Sequence, residues 1–215
     1  MAIREADAPG AGQAPRRLTK GQRTRARLVA AAEQVFGEGT YDEASIVEIT
    51  RRAGVSQGTF YLYFPSKLDI FREVVRDLGH QLRARIATSV EGAGSRAEVE
   101  RKGFETFFRF VAEHPSLYRI IRQSEFVDRE VYRDHYQRLA DGYVHGLKGA
   151  MDAGEFRRID PQVLAYSLMG LGELLGARYL LWDDRPSGKM PKKVIDALED
   201  FILHGALASK NGKKI

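Results

Sequence analysis

The sequence predicts an all-α protein, and three observations carry that reading. Apolar residues recur at i, i+3, i+4 and i+7 through nearly the whole length. No stretch alternates apolar and polar residues for long enough to make a useful strand. The gaps between apolar stretches hold helix caps, glycines and prolines, which are start and stop signals.

The elements follow in order. Leu28, Ala32, Val35 and Phe36 mark the inner face of a first helix, which the Gly-Glu-Gly at 37–39 ends. Ser45 opens a second helix, with Glu48 placed to complete a capping box and Ile46, Ile49 and Ala53 on its apolar face. Gly54 follows the last turn, where a left-handed residue costs glycine little, so the chain turns sharply. Ser56 caps a third helix, in which Phe60 and Phe64 face inward at i, i+4 spacing and Gln57, Gly58 and Tyr61 face solvent. Pro65 stops it. Ser66 with Asp69 forms a second capping-box pattern, and Leu68, Phe71, Val74, Val75 and Leu78 continue toward Ile86 as a long linking helix.

Val-Glu-Gly-Ala-Gly-Ser at 90–95 is the natural joint. Beyond it the spacing predicts a helix over 96–113, with Phe104, Phe107, Phe108 and Val111 on one face and a break at His114-Pro115. Helices follow over 118–126, 131–151 and 161–182. A polar loop at 183–190 precedes a last helix over 191–207.

The 215 residues carry a net charge of +5, and residues 1–27 alone hold seven basic against two acidic side chains, so the whole excess lies at the start. Residues 1–19 read as a disordered basic arm; Arg16 and Arg17 suit phosphate or minor-groove contact, or a solvated tail. There is no cysteine, which excludes disulfides, thiolate metal sites and a cysteine nucleophile. The N-terminal stretch lacks the apolar centre of a signal peptide. The longest apolar run, Val163 to Trp182, is interrupted by Glu173 and Arg178, each costing roughly 2.5–3.5 kcal/mol at a membrane centre. No membrane partner and a cytoplasmic location are therefore expected.

The chemistry of 45–67 is that of a nucleic-acid reader. The Gln57 amide suits adenine in the major groove, and Gly58 allows close backbone approach. Tyr61, one turn on, suits a thymine methyl or a phosphate, and the Thr59 and Tyr63 hydroxyls suit phosphate oxygens. Lys67 at a fresh helix N-terminus reads as a phosphate clamp. Arg52 and Ser56 complete the candidate set with Ser45.

The words RLVAAAEQVFGEGTYDEASI and AGVSQGTFYLYFPSK, within residues 24–75, resemble the tetracycline-repressor (TetR) family of bacterial transcription regulators. The resemblance implies three N-terminal DNA-binding helices, a fourth that links them to a variable helical domain, and a homodimer. It places Gln57, Gly58, Thr59 and Tyr61 on base-facing positions and Ser45, Tyr63 and Lys67 on phosphate-facing ones. Val47 departs from the usual polar or basic residue, so no base contact is assigned there. The implied domains are 20–66 for the helix-turn-helix DNA-binding unit, 67–90 for the linking helix, and 91–215 for ligand sensing and dimerisation.

The expected partners are a double-stranded DNA operator, a second copy of the chain through its last two helices, and a small effector, fatty acyl or aromatic. The resemblance implies repression relieved by that effector. Phe104, Phe108, Tyr118, Phe126, Tyr166 and Met169, with Phe107 and Tyr179, are the candidate cavity lining, and Arg119, Arg122 and Glu125 the candidate anchors. Gly170, Gly172 and Gly176 each cost a helix about 1 kcal/mol relative to alanine, which points to a close helix–helix approach. No cofactor, metal or catalytic residue is expected. The five histidines stand singly, His135 and His145 sharing one predicted helix, and neither a nucleophile elbow nor a phosphate-binding loop occurs.

Overall fold

A computed structural model describes residues 19–182 and 188–205. Among these, nine α-helices and no strand are present: α1 Lys20–Glu38, α2 Ile46–Ala53, α3 Gln57–Tyr61, α4 Lys67–Val90, α5 Arg96–Glu113, α6 Ser116–Val127, α7 Arg129–Asp152, α8 Pro161–Gly176 and α9 Lys192–Gly205. A π-helical turn, Ala177–Leu181, extends α8. Of the arm expected at 1–19, residues 1–18, with Arg16 and Arg17, lie outside the described residues, as does the end of the last helix at 206–207; Thr19 is the cap of α1.

The first helix starts earlier than its apolar face suggests. Thr19 and Gln22 form a reciprocal capping box, so Arg23, Arg25 and Arg27 lie on α1 and not ahead of it. The Thr-x-x-Gln spacing of residues 19–22 carries this start signal. Ser45 and Ser66 cap as expected, accepting from the Glu48 and Asp69 backbone N–H groups, but neither acidic side chain returns to the cap's backbone. Glu48 turns to Arg51 and Arg52 instead, and the Asp69 carboxylate accepts from the Ser66 hydroxyl at 2.6 Å. The fully ionised guanidinium pair outcompetes a single neutral N–H for a carboxylate.

One continuous core runs from Leu28 on α1 to Ile202 on α9. Within it, α1 packs on α2, α4 and α6, while α4 also packs on α5 and α7. The two halves of the chain therefore share α4 and the α1–α6 contact. Gly37 permits that contact, since a Cβ there would lie 2.3 Å from Ser116 Cβ. Gly172 and Gly176 do allow close approach, but to aromatic rings of the same chain: a Cβ would stand 3.1 Å from the Phe104 ring and 2.6 Å from the Tyr118 hydroxyl. Gly170 faces open space on the outer side of α8.

Candidate nucleic-acid interface and effector cavity

The reading helix is held by what it buries. Phe60 is 0% and Phe64 3% exposed, packed on one another within the shared core. Gly54 adopts φ 63°, ψ 43°, which makes the turn between α2 and α3. Ser56 caps α3 by accepting from the Thr59 N–H, and its hydroxyl also contacts the Thr59 hydroxyl at 3.0 Å. α3 ends at Tyr61, one turn before Pro65, so the chain is already in a turn at Leu62 and Tyr63.

The opposite face is open. Gln57 and Gly58 are exposed, Tyr61 is 54% exposed, and a Cβ at Gly58 would meet only Ser56 Oγ, at 3.8 Å. Nothing inside the protein requires glycine at 58. Ser45 is exposed, while Thr59 and Tyr63 are half-buried. Leu62, at 81% exposure, and Val47, at 58%, add an apolar rim that sequence reasoning did not assign.

Two expected DNA-contacting cations are engaged within the protein. Lys67 Nζ donates to the carbonyls of Tyr41 at 2.8 Å, Ala44 at 2.9 Å and Asp42 at 3.4 Å, and sits 4.4 Å from the centre of the Tyr41 ring. Its three donors tie α4 to the 41–44 loop, so the ammonium expected at a phosphate is engaged within the protein. Arg52 donates through both terminal nitrogens to Glu38 at 2.7 Å and through Nε to Glu48, joining α2 to the end of α1. Hydrogen bonds from Arg51 and then Arg52 hold the Glu48 carboxyl down at about 2, and those to Glu38 and Glu48 raise the Arg52 guanidinium further. Arg25 similarly pairs with Glu73 and covers the Phe64 ring.

The second half of the chain encloses a cavity of about 450 Å³, bounded by α4, α5, α6, α7 and α8. Phe104, Phe107, Tyr118 and Met169 line it, as the aromatic pattern suggested. The other candidates fall elsewhere. Phe108 is buried in the core at 1% exposure, whereas Phe126 at 88% and Tyr166 at 40% face outward. Arg119 reaches the Glu38 carbonyl, and neither it nor Arg122, Glu125 or Tyr179 borders the cavity. Helical spacing tells which residues share a face but not which neighbour that face meets, and α6 turns Arg119 toward α1 while Arg122 is exposed.

Apart from Tyr118, the polar groups of the wall come from positions the sequence did not assign to the cavity. Arg96 and Glu100 form a buried ion pair at 2.5 Å, joined by the Tyr143 hydroxyl, and Gly146 leaves the room Arg96 occupies. Burial raises both the Glu100 carboxyl and the Tyr143 phenol. The Tyr136 hydroxyl donates to the Glu173 carboxylate at 3.1 Å, and the Tyr118 hydroxyl to the Glu173 carbonyl at 2.7 Å. Burial beside that carboxylate pushes both phenols well up. Arg83 and His135 complete the wall. His135 Nδ1 is buried without a partner. His145 is exposed, and no cluster of metal-ligating side chains exists among the described residues. Nor is any described helix long and apolar enough to cross a membrane.

α6 joins the cavity to the reader. Leu117, Tyr118 and Ile121 face the cavity, while on its other side Gln123 donates to the carbonyls of Phe36 and Gly39, and Ser116 and His114 meet Glu33.

Comparison with known proteins agrees with this division. Residues 28–74 match the family model of bacterial regulatory proteins of the tetR family. The chain is 28% identical over 198 residues to the HTH-type transcriptional regulator YdgC of Bacillus subtilis, covering 90% of this chain and 97% of that protein. It is 26% identical to the HTH-type transcriptional activator FasR of Mycolicibacterium smegmatis, over 84% and 82% of the two chains. The crystal structure of the regulator FadR from Bacillus subtilis, in complex with stearoyl-CoA, shares the fold with a TM-score of 0.74 at 19% identity, over 84% and 98% of the chains. Residues 28–74 are therefore a reader domain of the tetR family of bacterial regulatory proteins, and the chain is similar to HTH-type transcriptional regulators along nearly its full length.

Proposed function

We propose that this protein is an effector-responsive transcription regulator: a cytoplasmic homodimer that occupies a palindromic operator and releases it when a small apolar molecule fills the α4–α8 cavity. The observation that carries the reading is the division of α3, which buries Phe60 and Phe64 and leaves Gln57, Gly58 and Tyr61 outward. Gln57 reads a base edge, Gly58 lets the backbone close in, and Tyr61, with exposed Leu62, meets thymine methyls or sugar. Ser45, Ser56, Thr59 and Tyr63 position the reader on phosphates. Arg52 and Lys67 act mainly by fixing α2 and α4 in register.

Dimerisation rests on the outer faces of α8 and α9, where Val163, Leu174, Trp182 and Phe201 are each more than half exposed and Gly170 allows close approach. Two readers then address two half-sites. Effector binding moves α6, and Gln123 and Arg119 carry the displacement to the end of α1, changing the spacing of the readers. Repression follows from occupancy of the operator.

Selection of bound sequences from a random duplex pool at near-physiological salt tests this. A recovered palindrome supports the regulator. Binding without a motif that vanishes as salt rises would leave only a basic helical dimer. Transcription from a promoter carrying that palindrome separates repression from activation.

A further inference from the structure

Of the polar groups on the cavity wall, two clusters are satisfied internally: Arg96 with Glu100 and Tyr143, and Glu173 with Tyr136 and Tyr118. The third is not. Arg83, on α4, borders the cavity and has no hydrogen bond or ion pair of its own among the described residues. His135, on α7, is 8% exposed, and its Nδ1 is buried without a partner.

These groups converge. The point where Gly79 would carry a Cβ lies 2.9 Å from His135 Nδ1 and 3.1 Å from Arg83 Nη1. The missing side chain at Gly79, one turn before Arg83, is what lets both nitrogens occupy that corner. Asp134, the carboxylate whose charge acts on both, is already paired with Arg138 at 2.7 Å, so Arg83 feels it from a distance and has no ion pair of its own. Burial pushes the Arg83 guanidinium down, and burial beside that cation holds the imidazole at about 4, so it is neutral at pH 7 and keeps one N–H to donate. An unpaired guanidinium on an apolar wall is costly, and a ligand carboxylate recovers that cost through charge-assisted bonds.

We propose that the cavity takes an amphipathic carboxylic acid, its chain against Phe104, Phe107 and Leu168 and its carboxylate on Arg83, with His135 as a second donor. This rests on the effector reading above and goes further by naming the head group and where it sits. It also moves the anionic anchor from Arg119, which reaches α1, and Arg122, which is exposed, to α4 and α7.

The test is calorimetric titration of the full-length protein and two variants, Arg83→Met and Arg83→Lys, with dodecanoate and dodecanol below their aggregation limits. Circular dichroism melting establishes that each variant folds. The wild type should prefer dodecanoate by about ten- to a hundredfold, the range one hydrogen bond to a charged group confers. Arg83→Met should bind both ligands at the dodecanol level, and Arg83→Lys should keep most of the preference.

Equal binding of acid and alcohol by the wild type, or a preference that survives in Arg83→Met, overturns the head-group assignment and leaves the apolar cavity intact. Should Arg83→Met fail to fold, the wild-type comparison and Arg83→Lys still decide. Dodecanoyl-coenzyme A, which has no carboxylate, should bind independently of Arg83. An Arg83-dependent preference for it over dodecanoate would place phosphates at this corner and overturn the carboxylate. If no chain ligand binds at all, the effector reading fails together with this one.

Discussion

Replacing Lys67 by Met separates two physical roles for this side chain. In the structure the ammonium makes two short bonds, at 2.8 and 2.9 Å, to carbonyls of Tyr41 and Ala44, a longer one at 3.4 Å to Asp42, and a cation–π contact with the Tyr41 ring. A hydrogen bond from a charged donor contributes about 1.5–3 kcal/mol, and the ring contact about 0.5–1 kcal/mol. The freed carbonyls are only partly buried and water recovers part of this, while the Met chain keeps the apolar packing of the stem. A destabilisation of about 2–4 kcal/mol is expected, concentrated where the 41–44 loop meets α4.

Urea unfolding should show the lower midpoint, and amide exchange should quicken in α2 and α3 ahead of α7. Operator affinity should then fall through loss of the folded reader, and adding a stabilising osmolyte should restore much of it. A purely phosphate-clamping lysine predicts the reverse. Wild-type stability in Lys67→Met, together with a salt slope reduced by about one and weaker binding to every sequence alike, would refute the argument from the three carbonyls.

Gln57→Ala should relax preference at one base position by roughly 1–3 kcal/mol and leave the salt slope unchanged, as read by competition with operator variants. Gly172→Leu should place methyl groups against Phe104 and Phe107, lowering effector affinity while operator binding stays at the wild-type level; an effector that still releases this variant from DNA binds elsewhere. Arg119→Ala with Gln123→Ala should leave effector and operator affinities each nearly intact when measured alone. It should, however, shrink their coupling, which for such systems is typically about 1–3 kcal/mol; unchanged coupling removes α6 from the path. His135 stays neutral in the folded state down to about 4, whereas its unfolded form takes a proton near 6.5, so acidification through that window favours unfolding. Stability relative to a His135→Asn variant should thus fall by about 3 kcal/mol between pH 6.5 and 4 and be flat above pH 7 in urea titrations.

What the sequence alone determined was local. The caps at Ser45, Ser56 and Ser66, the left-handed turn at Gly54, the stop near Pro65 and the inward pair Phe60 and Phe64 all act within one or two helical turns, so spacing and residue chemistry fix them. The outward set Gln57, Gly58 and Tyr61 follows by subtraction from the same period. The cavity was only partly legible. Phe104, Phe107, Tyr118 and Met169 reach it, but Phe108, one position on from Phe107, turns into the core, and Phe126 turns to solvent.

Tertiary structure decided whatever depends on a partner far along the chain. Lys67 finds carbonyls more than twenty residues earlier, Arg52 finds Glu38, Arg119 finds the end of α1, and Arg83 meets His135 across the gap left by Gly79. A helix's period states which side chains point the same way. Which of them are then spent on internal bonds, and which are left unpaired at a cavity, is set by the packing of distant helices, and that packing converts a row of aromatic and basic residues into a site.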